Sequence, residues 1–333
     1  MKTDNRVEMD KLFSAIRAAG RVCIFPHIDP DGDTLGSALA LQSLITRLGK
    51  PVTVVLDGPP PERLNFMPGV ETITTAEAVH SVENTLAIAV DVSTAERMGN
   101  ALPLFFSAPV TAQIDHHETN PGFAQINIVE TKAPSSASVV FSLFKALELS
   151  LQPDEATNLY IGLSTDTGNF QFKNTDANSF RIMAELMEAG LNIGHYSRLL
   201  FLRKEREHIA LLAKALPTFR YSADGKVAGM ALTYETLQAI DPMGEHSEGI
   251  VNYAINTKGV RLAYLAREAQ PGVVKCSLRA LPPYRVDGIA LRYGGGGHML
   301  AAGCTIRKTL PETVAELEQA LAQACAEAEA LAK

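Results

Sequence analysis

At 333 residues the chain is longer than one compact core usually runs, so two domains are expected. Its 46% hydrophobic and 20% charged content is that of an ordinary soluble globular protein, with no low-complexity tract, heptad array or short repeat. The formal net charge of −7 argues against a broad basic face for duplex nucleic acid, whereas small anionic substrates stay open because bound metal ions reverse the field inside an acidic pocket.

Met1 to Asp10 is polar and mixed in charge, without the apolar core of a targeting segment, and no later stretch is apolar over a bilayer-spanning length. A cytoplasmic protein without membrane attachment is therefore expected. Val22 to Phe25 reads as a buried strand, Thr34 to Leu48 as a helix closed by Gly49, and Val52 to Leu56 as the next strand. Leu86 to Val90, a continuous apolar run, and Val110 to Ile114, apolar at alternate positions, read as further strands covered by helices. Helices are predicted over Ser136 to Leu149, over Glu155 to Leu163 with Asp154 as N-cap, and over Asp176 to Ala189 before Gly190. The stretch from His195 to Ala215 reads as one charged linker helix. Beyond Pro217 the runs shorten to Lys226–Thr233, Gly259–Arg267 and Gly272–Leu278, then a glycine cluster, then a helix over Pro311 to Leu331.

The expected fold class is α/β: an N-terminal domain with a mainly parallel sheet flanked by helices, joined by a helix to a smaller α+β C-terminal domain. The expected boundaries are 1–192, 193–216 for the linker helix, and 217–333. Cys23, Cys276, Cys304 and Cys325 lie far apart in sequence in apolar surroundings, form no Cys-x-x-Cys pair, and read as reduced core thiols.

Carboxylates and histidines fall where the predicted elements of the first domain end. Four segments repeat this: His27-Ile28-Asp29-Pro30-Asp31-Gly32-Asp33, Asp91, Asp115-His116-His117, and Thr165-Asp166-Thr167-Gly168. The carboxyl ends of parallel strands form one edge of a sheet, where ligands bind. Each segment alone has an ordinary reading: a turn for Pro-Asp-Gly-Asp, a helix cap for Asp91, a solvated loop for Asp-His-His. Together they indicate metal, since clustered carboxylates repel one another unless cations neutralise them. Mixed Asp and His ligation suits manganese, iron, cobalt or zinc; manganese is favoured here, with magnesium as a substitute. Two ions about 3.5–4 Å apart would activate water and clamp a phosphoryl oxygen.

In the run Val274 to Arg279, alternation puts Val274, Cys276 and Leu278 on the core face and Lys275, Ser277 and Arg279 on the other, where Arg279 could grip a phosphate. Gly294 to Gly297 lead into His298 and a small-residue segment, Ala301-Ala302-Gly303, read as a helix start. Flexible linker is the default for a glycine run; the alternative is close backbone approach to an anion. His80, His195, His208 and His246 match no motif and read as surface or packing residues.

These motifs resemble the DHH phosphoesterase superfamily, whose Asp-His-His triplet is Asp115-His116-His117 here. The glycine run Gly294 to Gly303 is similar to the signature of the DHH-associated substrate-binding domain, so the resemblance spans almost the whole chain. Within the superfamily the chain looks most like the bacterial nanoRNases. The resemblance implies that His27 and Asp31 hold one of two divalent ions, that Asp33, His116 and Asp166 hold the other, and that Asp91 bridges them. His117 would face the scissile phosphate as a catalytic group, with Asp115 and Thr167 as supporting residues. Lys275, Ser277, Arg279, Gly295, Gly296, Gly297 and His298 would bind substrate, with Arg279 and His298 on its terminal phosphate, opposite the metals. One departure is Ala280, where many relatives carry a polar residue.

The implied activity is hydrolysis of very short oligoribonucleotides to mononucleotides, or of 3'-phosphoadenosine 5'-phosphate to AMP and phosphate. The alternatives are a phosphodiesterase for cyclic or linear dinucleotides (c-di-AMP, pApA, pGpG), a pyrophosphatase, and a nucleotide-binding regulator without catalysis. Short single-stranded RNA or small nucleotides are the expected partners, duplex DNA is not, and a homodimer is the default assembly.

Overall fold

Apolar runs alternate with helical patterns through the first 200 residues, and in the computed structural model, which describes residues 5–331, they form a layered α/β unit over residues 1–202. Its elements are α1 (Asn5–Ala18), β1 (Arg21–Pro26), α2 (Gly32–Arg47), β2 (Val52–Leu56), β3 (Thr74–Thr75), β4 (Thr85–Val90), α3 (Leu102–Ser107), β5 (Val110–Asp115), β6 (Ile126–Val129), α4 (Ser136–Ala146), α5 (Pro153–Asp166), α6 (Ala177–Glu188) and α7 (Ile193–Ser197). The strands run in the order β3-β2-β1-β4-β5-β6 and all pairs are parallel. The chain steps from β1 outward to β2 and returns on the other side as β4. The order therefore reverses at β1, the position in a parallel sheet where a crevice opens.

Both sheet faces are covered, which explains the continuous apolar runs of β1 and β4, whereas β5 carries the buried polar residues Thr111 and Gln113. Val22 and Ile24 of β1 pack toward α1, α2, α4 and α5, whereas Cys23 and Phe25 face a second cluster built from α3 and the turn at Ala95–Ala101.

The second unit, residues 203–333, contains α8 (Arg206–Ala215), β7 (Arg220–Tyr221), β8 (Val227–Leu232), α9 (Tyr234–Ile240), α10 (Ile250–Ile255), β9 (Leu262–Gln270), β10 (Val273–Ala280), α11 (Asp287–Arg292), β11 (Gly296–His298), β12 (Ala301–Ile306) and α12 (Leu310–Leu331). Its strands are ordered β11-β12-β10-β9-β8-β7, antiparallel except for β8 and β9. One face packs on α11 and α12; the other packs on α8, α9 and α10, chiefly through β8 and β9.

Several expectations from sequence change. The stretch read as one linker helix is instead α7, a π-helical turn at Arg198–Leu202, a non-helical break at 203–205, and α8. The apolar side chains before the break are only partly buried, so no continuous apolar stripe supports one rod. The start of α5 is not capped by Asp154: Pro153 occupies the first turn, and the Glu155 carboxylate accepts the Gln152 N–H at 2.7 Å. Residues 301–303 begin strand β12 rather than a helix, because their alternate side chains pack on the core and the glycines pair as β11 beside them. All four cysteines are buried and unbonded, but Cys276 and Cys304, distant in sequence, stand directly opposite on β10 and β12. No helix among the described residues is long and apolar enough to cross a membrane.

Candidate metal centre

The loop after β1, the ends of β4 and β5, and the C-terminus of α5 meet at the carboxyl edge of the first sheet. Asp166 belongs to the helix that the sequence ends near Leu163, in its last turn rather than beyond it: α5 runs on to this residue. Glycine brings it there. A Cβ on Gly36 of α2 would collide with the Asn158 carbonyl of α5, and one on Gly162 would lie 2.6 Å from the Ala137 Cβ and 2.7 Å from Asp33 Oδ1. With hydrogen alone at both positions the helices touch, and the last turn of α5 reaches the first turn of α2.

Asp31 caps α2, its Oδ1 accepting the N–H groups of Asp33 and Thr34, each at 3.0 Å. The ordinary local role of this motif is therefore that of a helix cap. Asp33 is fully buried and rests on the N-terminus of α4, accepting N–H from Ser136 at 2.6 Å and from Ala137 at 2.9 Å. Asp91 follows β4 with φ at +60°, a strained left-handed conformation for a non-glycine residue, of the kind that collects at functional sites.

The histidines are held by backbone carbonyls. His27 Nδ1 donates to the Ile28 carbonyl at 2.6 Å, and His116 Nδ1 donates to that of Ala133 at 3.3 Å. In that tautomer each Nε2 presents a lone pair, the arrangement a metal-ligating imidazole needs. His27 Nε2 lies 3.7 Å from Asp91 Oδ2, and His116 Nε2 lies 3.7 Å from Asp91 Oδ1, 3.9 Å from Asp33 Oδ2 and 3.1 Å from Asp166 Oδ2. Asp91 thus turns one oxygen to each histidine. Two groups are spaced so that each could hold an ion: His27, Asp31 and Asp91, and Asp33, His116 and Asp166.

The electrostatics match that spacing. Burial, and then repulsion from Asp91, Asp166 and Asp31, push the Asp33 carboxyl well above the usual carboxylate range. Burial, with Asp91 and Asp31, pushes Asp166 up to about 8. Carboxyls that hold protons near neutrality for want of a counter-charge are suited to a cation. The Thr34 hydroxyl, with one proton to give, is within 3.0 Å of Asp31 Oδ1, Asp91 Oδ2 and His27 Nε2. Such an excess of acceptors over donors is the chemistry of a cation site.

His117 also lies within reach of Asp91 and His116. Its Nδ1, however, donates to Asp115 at 2.8 Å and is 3.9 Å from Asp91, so its first allegiance is to Asp115. Although burial pushes Asp115 up, hydrogen bonds from His117 and from Asn120 (2.6 Å) bring it below the usual carboxylate range. The Asp115 carboxylate in turn raises the imidazole above its ordinary value. Thr167 makes no hydrogen bond to these side chains. Its hydroxyl donates to the Leu163 carbonyl and accepts the Phe170 N–H, anchoring a left-handed run at Gly168, Asn169 and Phe170 just beyond Asp166.

In the second unit, register places Arg279, Ala301 and His298 side by side on β10, β12 and β11, and Ser277, Gly303 and Gly296 in the next row. Lys275, Ser277 and Arg279 face away from the α12 core, as alternation predicts. Arg279 and His298 are two strands apart, about 10 Å, over a floor of small residues. Gly295 and Gly297 serve the sheet: a Cβ on Gly295 would strike the Gly303 carbonyl, and one on Gly297 would lie 2.6 Å from the Ala301 carbonyl. Gly296 has open space around it.

Two models of known families match these segments: the DHH family N-terminal domain over residues 21–163 and the DHHA1 domain over residues 229–328. The chain belongs to the DHH family. It is 31% identical to the bifunctional oligoribonuclease and PAP phosphatase NrnA of Thermus thermophilus, over 86% of this chain and 85% of that one. It is 23% identical to the Bacillus subtilis protein of the same name, over 89% and 92% of the two chains. An exopolyphosphatase-related protein from Bacteroides fragilis shares 25% identity and a TM-score of 0.87, over 97% of this chain and 98% of that structure.

For a DHH chain, the sequence motifs leave out the polar residues that hydrogen-bond the clustered carboxylates. Ser136 donates from its hydroxyl to Asp91 Oδ1 at 2.9 Å, Thr34 sits inside the cluster, and Asn120 holds Asp115. In the DHHA1 domain, Arg267 is missed as well; its Nη1 donates to the Ser247 hydroxyl and its Nη2 to that of Ser277 at 3.4 Å. Serine, threonine and asparagine are common in any loop, and only three-dimensional adjacency marks these.

Proposed function

We propose that this protein is a two-metal phosphoesterase that hydrolyses very short oligoribonucleotides to mononucleotides and 3'-phosphoadenosine 5'-phosphate to AMP and phosphate. The observation that carries this reading is Asp91, whose two oxygens face two separate histidine and aspartate groups. Kinship with proteins named oligoribonuclease and PAP phosphatase supplies the substrate class.

His27, Asp31 and Asp91 would hold one divalent ion, and Asp33, His116 and Asp166 the other, Asp91 being shared. The donor set of carboxylates and neutral imidazoles fits manganese, with magnesium as a substitute. Such ions supply Lewis acidity and lower the pKa of the attacking water. The chain's own residues do the rest. Ser136 and Thr34 fix the Asp91 carboxylate, and the α4 N-terminus fixes Asp33. Asp115 fixes the His117 ring by its Nδ1 and keeps it protonated to higher pH, so that Nε2 can deliver a proton to the leaving oxygen. In the DHHA1 domain, Arg279 and His298 would bind the terminal phosphate, with Ser277 and Lys275 beside them and the side-chain-free row at Gly303 and Gly296 giving room. The four buried thiols suit the reducing cytoplasm.

The test is product release by the purified chain in manganese from 3'-phosphoadenosine 5'-phosphate, RNAs of two to twenty-four residues, linear and cyclic dinucleotides, and pyrophosphate. Turnover concentrated on the shortest RNAs and the bisphosphate is expected. Preference for cyclic dinucleotides, or no turnover, would overturn the assignment.

A further inference from the structure

Beside the metal centre, at the carboxyl ends of β1 and β2, lies a cavity of about 370 Å³ that shares one wall, His27, with the cluster. It sits on the β2 side of that imidazole, whereas Asp91 and His116 sit on the β4 side. The motif after β1 supplies His27 to Pro30 to its wall; the residues after β2, from Asp57 to Arg63, belong to no motif read from the sequence.

Its walls are mixed in a particular way. Ile28, Leu56 and Pro59 give flat apolar surface, Asp29 and Asp57 give carboxylates, and Arg63 gives one cation. Arg63 is exposed and has no ion-pair or hydrogen-bond partner among the described residues. The apolar wall is braced: Ile28 N–H donates to the Arg97 carbonyl at 2.7 Å, and Asp57 Oδ1 accepts the Asn100 N–H at 2.6 Å. Gly99, at φ +58°, lets that turn press close, since a Cβ there would lie 2.6 Å from Ile28 Cγ2.

We propose that this cavity is a nucleoside pocket, taking the base and sugar attached to a phosphate held at the metal centre. The inference rests on the reading of that centre as a phosphoesterase site. Two carboxylates against one guanidinium disfavour a second phosphate and favour donors, the hydroxyls of a ribose and the amino group of a base. Apolar side chains cover the base, and the free guanidinium of Arg63 stacks on its face. The volume lies near the lower end for ligand pockets, enough for one nucleoside.

Gly58 offers a clean test: it lines the cavity, and a Cβ on it meets no atom within 4 Å. Gly58→Leu and Arg63→Ala are compared with the native protein on an RNA dinucleotide and on the same dinucleotides made abasic at one position or the other. The native protein is expected to lose at least about ten-fold in kcat/KM when one particular base is removed. Gly58→Leu should shrink that preference at least five-fold, and Arg63→Ala at least two-fold, both through KM. AMP binding by calorimetry should weaken in both variants. Indifference of the native protein to removal of either base, a preference unchanged in Gly58→Leu, or equal loss on intact and abasic substrates would overturn the pocket. If the native protein cleaves none of these nucleotides, the catalytic reading fails by itself. AMP affinity then decides the pocket: weakening in Gly58→Leu upholds it, and unchanged affinity overturns it.

Discussion

Replacing Asp115 by asparagine separates the proton-delivery role of His117 from metal binding. Asp115 is fully buried and touches His117 Nδ1 at 2.8 Å; of the proposed ligands only the backbone of its neighbour His116 meets its carboxylate. Asparagine keeps the shape and an acceptor oxygen but removes the charge. Hydrogen bonds to a charged partner are worth about 1.5–3 kcal/mol, or roughly one to two pH units. The His117 side chain is 39% exposed, so water screens part of this and the lower end, about one unit, is expected. Because the Asp115 contact raises the imidazole, its loss should move the alkaline limb of kcat on short RNA to lower pH by about one unit. On the alkaline side, kcat should then fall roughly ten-fold relative to the native protein. A p-nitrophenyl ester, whose leaving group needs no proton, should be nearly spared. The assay is kcat against pH with both substrates. An unmoved alkaline limb, or equal loss on the nitrophenyl ester, would refute the assignment of His117 as the acid.

Asp91→Ala should lower kcat on every substrate by at least about a thousand-fold, since metal ions supply several kcal/mol of transition-state stabilisation, and bound manganese measured by elemental analysis should fall below two ions per chain; near-native activity would sink the two-metal reading. Asp166 is raised to about 8 in the folded, metal-free chain, and Asp33 is raised as well, so from about pH 4 to 8 the folded state holds protons that the unfolded state has lost. Metal-free stability should therefore fall as pH rises through that window, by at most about 1.4 kcal/mol per pH unit for each group, whereas metal affinity rises; thermal unfolding in chelator at pH 5 and pH 9 checks this, and greater stability at pH 9 would contradict it. Arg279→Ala should raise KM for short nucleotides while leaving bis-p-nitrophenyl phosphate nearly unaffected; equal loss on both would place Arg279 among the catalytic groups.

Much of this was legible in the residues themselves. Apolar runs, continuous in β1 and β4 and broken by Thr or Gln in β2 and β5, marked these strands because covered strands are mostly apolar, and the acids at their ends pointed to one edge because parallel strands share a direction. Alternation along Val274 to Arg279 assigned the faces of β10, since a strand has period two. The glycine run marked the sheet edge but not its form: a Gly-rich segment carries no apolar period, and only pairing with β12 shows why Gly295 and Gly297 need hydrogen alone. The same limit hid the break before α8, which depends on which side chains find a surface to cover.

Sequence alone determined which residue types were available and where most strands and helices of the first unit fall, because those properties are local. Tertiary structure decided the rest. It turned Asp91 toward both histidines, assigned Asp115 to His117 rather than to a metal ligand, brought Asp166 in on a helix through the contact at Gly36 and Gly162, and opened a cavity behind His27. These are relations among groups distant along the chain, set by strand order and close packing, and no local pattern encodes them.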